Sequence, residues 1–140
     1  MARVKINIQG KALAIIKIPV RISDINYGNH LGNDALVSIL HEARVQWLQQ
    51  YNYTELNIEG SGLIMADLAV EYKRESFYGD TLDVSIFADD LTKVSFDLYF
   101  SICNQHNILI AKAKTGMLCY DYGNKKVGRI PEKFKQLLLH

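Results

Sequence analysis

A single stretch of helical period stands among runs that alternate, and this switch constrains the fold more than any other feature of the sequence. From Asp34 to Tyr51, the side chains of Leu36, Ile39, Leu40, Ala43, Trp47 and Tyr51 fall on one arc at about 100° per residue. A helix of about 18 residues is a rod of about 27 Å, long enough to lie across a whole sheet. Arg44 projects near the apolar arc and needs a carboxylate or carbonyl partner, whereas Glu42 and Gln46 point toward polar surroundings. Trp47 reads as core.

Elsewhere the period is two. Val4 to Ile8 alternates strictly, and Gln9-Gly10 can turn it back into a second extended run from Lys11 to Ile22, which predicts an opening strand pair. Pro19 puts part of that run at an edge or a bulge. Breakers between Asn52 and Gly62 end the helix. Alternating runs then cover Leu63 to Glu75, Leu82 to Ala88, Val94 to Ile102 and Ile108 to Tyr120, with turns at Phe77–Asp80, Asp89-Asp90 and Asn104–Asn107. Residues 122–128 read as a surface turn, and Pro131 can open a short helix through Leu138. Strands joined by short hairpin loops make an antiparallel sheet, so the expected fold class is α+β: one long helix on a five- or six-stranded antiparallel sheet.

The 140 residues suit one domain, residues 1–140. A net charge of +1 with scattered Lys and Arg leaves no nucleic-acid footprint. Ala12 to Val20 is interrupted by Lys17 and Pro19 and is far shorter than the ~20 residues that span a bilayer; it also lacks the layout of a cleaved signal. No membrane span is expected. Cys103 and Cys119 have no metal-ligand spacing around them, so they read as buried free thiols, no metal is expected, and a reducing cytoplasm is the expected location.

Candidate chemistry gathers just before the long helix. Residues 23–33 hold Asp24, Asn26, Tyr27, Asn29, His30 and Asn33, more hydrogen-bonding and proton-transferring groups than a mere connection needs. Asn33 or Asp34 can cap the helix, and the free N–H groups and positive dipole end of a helix start suit a developing negative charge. Gly32 and Asn33 are therefore the expected oxyanion donors. Asp24 equally suits an Asx-type turn, and His30 equally suits a structural hydrogen bond.

At these residues the chain resembles the hot-dog-fold thioesterases related to 4-hydroxybenzoyl-CoA thioesterase, over residues 12–120. Their signature is Asp-x-Asp, three residues, His-x-Asn-Asn, and then Glu-x-Ala-Arg within the helix. The counterparts here are Asp24-Ile25-Asn26, His30-Leu31-Gly32-Asn33 and His41-Glu42-Ala43-Arg44. Asn26 stands where many relatives carry a second aspartate, and His41 where they often carry a helix glutamate. Further on, Tyr72-Lys73-Arg74-Glu75-Ser76 resembles the Tyr-Arg-Arg-Glu-Cys stretch of plant acyl-carrier-protein thioesterases, whose acidic residue is proposed to be catalytic; Ser76 takes the Cys position.

The resemblance implies a hot-dog domain that hydrolyses an acyl-CoA or acyl-carrier-protein thioester, with coenzyme A as part of the substrate and no separate cofactor. It also implies a homodimer or homotetramer with the acyl site at a subunit boundary, where the loop of one chain could face Glu75 of another. On this reading Glu75 is the base, with Asp24 or Glu42 the candidate base in its place, Asn26 orients the water or thioester without acting as a base, and His30 supports proton transfer. Lys73, Arg74 and Lys93 are candidates for the phosphates of coenzyme A or a phosphopantetheine, and each also suits a solvated edge. Two other classes stay open. A hot-dog dehydratase would want a Phe-Pro-type loop after its histidine, where this chain has Leu31-Gly32-Asn33. A non-catalytic acyl-thioester-binding protein would account for the absence of the second aspartate.

Overall fold

The computed structural model describes residues 2–140. Its long helix, α1 (Asn33–Gln49), buries Leu36, Ile39, Leu40, Ala43, Trp47 and Leu48. The N-cap is Gly32, and no side chain caps the helix, contrary to the expectation for Asn33 or Asp34. A missing cap costs about 1 kcal/mol, whereas each large apolar side chain buried contributes about 1.5–3 kcal/mol, so packing decides that this helix forms. Tyr51 lies beyond the helix, and its ring stacks on Tyr53 outside the apolar arc. Arg44, buried, donates through Nε to Glu55, which also meets His41 Nε2 at 2.7 Å. Burial works against the charge on Glu55, but these two partners outweigh it and hold the carboxyl below its ordinary range.

Six antiparallel strands form the sheet: β1 (Ala14–Pro19), β2 (Gly62–Tyr72), β3 (Thr81–Asp89), β4 (Ser95–Cys103), β5 (Leu109–Asp121) and the short β6 (Lys126–Val127). Their order is β1-β3-β4-β5-β2, with β6 attached to β5. Alternation is cleanest in β4, where Phe96, Leu98, Phe100 and Ile102 all face the core. A short helix, α2 (Glu132–Leu138), closes one end with Phe134 packed against Trp47 and Phe96.

Two expectations for the sheet are corrected. Residues 4–8 form no strand: the alternation of Val4 to Ile8 is met by Ile6 alone, buried away from the core cluster, with its N–H on Glu71 Oε1 at 3.1 Å and its carbonyl facing Lys112 Nζ at 3.4 Å. β1 pairs with β3 instead, as an edge strand ending in Pro19, where a missing N–H is tolerated. Nor is the link from β2 to β3 a hairpin. These strands lie at opposite sides of β4 and β5, so residues 73–80 cross over the ends of both. This crossover brings three separate segments to the start of α1.

Candidate active site

The polar loop folds as a tight hairpin. Ile25 and Leu31 form a bridge, Asn26 N–H donates to the His30 carbonyl at 2.9 Å, and Asn29 N–H donates to the Asn26 carbonyl with Asn29 itself at φ 65°. Inside it, Asn26 Oδ1 accepts from the N–H of Gly28 at 2.9 Å and from that of His30 at 3.5 Å. A Cβ on Gly28 would stand 3.2 Å from His30 Nε2 and 3.3 Å from Asn26 Oδ1, so the absence of a side chain there gives both groups their room. The His30 ring packs Nδ1 against the Leu31 carbonyl at 3.2 Å; donation there leaves Nε2 facing outward.

Leu31 N–H then donates to the Ser76 carbonyl at 2.7 Å, which sews the hairpin to the crossover. This single bond brings His30 beside Glu75, with Nε2 to Oε1 at 3.8 Å within one chain. That gap is too long for a direct hydrogen bond and suits a bridging water. Glu75 is 64% exposed and accepts no hydrogen bond among the described residues.

The crossover is pinned from the far side by Asp80. Its Oδ2 accepts from Ser76 Oγ at 2.8 Å and from Phe77 N–H at 2.9 Å, and its Oδ1 accepts from Gln105 Nε2 at 2.9 Å. Gln105 Oε1 in turn accepts from Thr81 N–H. Burial works against the charge on Asp80, yet these donors outweigh it and hold the carboxyl below its usual range. Asn104, buried in the β4–β5 turn, steadies that turn by accepting from the N–H groups of His106 and Ile108.

Between these segments opens a cavity of about 830 Å³, lined on its apolar side by Leu36, Ile108 and Ile110 and on its polar side by His30, Glu75 and His106. Asn33 and Gly32 at the start of α1, Tyr72, Lys73 and Arg74 also border it. Gly32 N–H is donated to the Asp24 carbonyl at 3.0 Å, so it is not an oxyanion donor; the N–H groups of Asn33, Asp34 and Ala35 make no backbone bond among the described residues and are the free donors of the first turn.

Not every expected residue meets here. Asp24 is buried, accepts from Arg21 N–H at 2.8 Å and from the Arg21 guanidinium, and lies away from the cavity against β1 and α1. Its role is to hold the loop's entry. Asn26 is likewise outside the cavity wall and shapes the hairpin behind His30. Lys73 pairs with Glu71 at 2.8 Å, while Arg74 has no carboxylate partner among the described residues. Lys93 sits in the β3–β4 turn, one length of β4, about 30 Å, from the cavity. It borders a separate groove with Arg129 and Lys135. Conversely, Asp80, Asn104, Gln105 and His106 read in the sequence only as turn residues, and Tyr72 and Ser76 only as flanks of the Glu75 motif.

The model of the thioesterase-like superfamily matches residues 20–138. The chain belongs to this superfamily. No curated protein matches it significantly. Among solved structures, the thioesterase-like chain shares its hot-dog fold with the PA2801 protein of Pseudomonas aeruginosa, at 19% identity and TM-score 0.82, covering 90% of this chain and 98% of that one. A 1,4-dihydroxy-2-naphthoyl-CoA thioesterase from Synechocystis is similar at 18% identity and TM-score 0.81, covering 89% of this chain and 94% of its own. A Staphylococcus aureus protein solved in complex with CoA is similar at 14% identity and TM-score 0.82, covering 97% and 87%. In this thioesterase-like chain, the polar loop, the start of α1 and the crossover all fall within the matched residues.

Proposed function

We propose that the protein hydrolyses an acyl thioester of coenzyme A or of a phosphopantetheine carrier, with Glu75 as general base. The observation that carries this reading is the meeting of a carboxylate that accepts no hydrogen bond among the described residues, a histidine and an unpaired helix start around one cavity with an apolar side. A water in the gap between Glu75 and His30 gives a proton to the Glu75 carboxylate as its oxygen attacks the thioester carbonyl carbon. The oxyanion that forms is held by the free N–H groups at the start of α1, one such donor being worth about 3–4 kcal/mol in a transition state. When the C–S bond breaks, the proton held by Glu75 passes by way of His30 Nε2 to the thiolate sulfur, leaving acid and thiol. Asn26 serves by holding the His30 hairpin. No group beyond the substrate's own coenzyme A is required.

Similarity to a CoA-thioester hydrolase and to a protein solved with CoA supports the choice of thioester. Arg74, at the mouth, is the cation we assign to a substrate phosphate. A homodimer through β2 is part of the same reading. This strand ends the sheet with its far edge unpaired, and Met65 and Leu68 are exposed along it, the kind of edge that proteins cover.

Incubation with a panel of acyl-CoA thioesters tests the proposal, with free thiol and enoyl-CoA hydration both followed. Thiol release with at least one acyl group is expected. Hydration without thiol release would make the protein a dehydratase, and acyl-CoA binding with neither reaction would make it a carrier.

A further inference from the structure

Tyr72 closes β2 at the point where the sheet edge meets the start of α1, and nothing in the mechanism above uses it. It pairs with the buried Ala111, so its ring lies on the helix side of the sheet and borders the cavity together with Leu36 and Ile110. Its hydroxyl donates to the carbonyl of Asn33 at 3.4 Å. That bond is long and weak, and the carbonyl belongs to the first turn of the helix, whose carbonyls already accept from the following turn. The hydroxyl is thus held loosely, beside the very residue whose N–H is free. Tyr72 is half exposed, so a ligand entering the cavity meets its polar tip.

We propose that Tyr72 is a substrate-binding residue of the thioesterase site, its hydroxyl leaving the Asn33 carbonyl to donate a hydrogen bond to the thioester carbonyl oxygen alongside the N–H groups at the start of α1. This role rests on the thioester reading of the cavity. It adds a side-chain donor to a set otherwise made of backbone, and a phenol suits the place. Burial, reinforced by the charge of Asp34, pushes the Tyr72 hydroxyl above its ordinary value, so it keeps its proton throughout the working range. A neutral donor also adds no charge that would have to be offset when the oxyanion collapses.

The test compares wild type with Tyr72→Phe, which keeps the ring and removes only the donor. The expected result is a kcat at least about 10-fold lower with KM and melting temperature little changed. A second readout is independent of turnover: the carbonyl stretch of the ketone analogue of octanoyl-CoA, with CH2 in place of the thioester sulfur, followed by infrared difference spectroscopy. In wild type the stretch moves to lower wavenumber on binding, and in Tyr72→Phe part of that shift is lost. A Tyr72→Phe protein with wild-type kcat and wild-type carbonyl shift overturns the role of Tyr72 while leaving the thioesterase reading intact. A wild-type protein that neither hydrolyses acyl-CoA nor binds the ketone overturns both.

Discussion

Two carboxylates flank the start of α1. Asp24, in the turn that enters the polar loop, is buried and accepts three bonds from Arg21, one from the backbone N–H and two from the guanidinium. Glu75, in the crossover, is largely exposed, and its one oppositely charged approach among the described residues is His30, at 3.8 Å. The first has committed its lone pairs to holding a loop, whereas the second has them free on the cavity side. Nearness to a helix start therefore does not make a carboxylate a base; what matters is whether its oxygens are already occupied.

This contrast can be broken by substitution, and the largest effect is expected at Glu75. Glu75→Gln should lower kcat by roughly 10²-fold, or about 2.7 kcal/mol of barrier, with an unchanged melting temperature, as read by thiol release and thermal unfolding. Asp24→Ala should do the reverse in kind: about 2 kcal/mol of stability lost in urea unfolding, because the Arg21 N–H loses its acceptor, with any loss of activity following the loosened loop.

The Glu55 pair sharpens the same distinction at a site with no chemistry. Its carboxyl lies lower in the folded protein than in the unfolded chain, so its stabilisation is complete above the ordinary carboxylate value, roughly 4.3, and is lost as pH falls through the folded value. Glu55→Gln should cost about 1–2 kcal/mol at pH 7, since Arg44 stays buried without its partner, and the difference from wild type should shrink in acid while kcat stays the same. The smallest effect is expected for Gly28→Ala. The added methyl presses on His30 Nε2 and should lower kcat by a few fold, about 1 kcal/mol, with KM unaltered.

Much of this architecture is legible in the sequence, because α1, β3 and β4 each carry one clear period and β2 changes phase only at its bulge between Met65 and Asp67. Residues 4–8 alternate equally well, yet they join no ladder: β1 pairs with β3, and Ile6 finds its hydrogen bonds on the side chains of Glu71 and Lys112, which are remote in sequence. Periodicity reports that a segment is extended, not what it pairs with. The site divides in the same way. The local hairpin around Asn26 and His30 is written in adjacent residues, whereas the Ser76–Asp80–Gln105 network exists only because the crossover passes over the β4–β5 turn. The place of Lys93 follows from topology. Successive turns of an antiparallel sheet alternate ends, so a residue in the β3–β4 turn must lie opposite the β4–β5 turn.

In the proposed reaction Glu75 activates water and forms no bond to the acyl group. A single turnover of acyl-CoA by excess enzyme in H2(18)O tests this most directly, with mass spectrometry of both the product acid and the peptide containing Glu75. Direct attack predicts the heavy oxygen in the acid from the first turnover and none in the Glu75 carboxylate. Heavy oxygen in Glu75 with an unlabelled first-turnover acid would contradict it and make Glu75 the nucleophile.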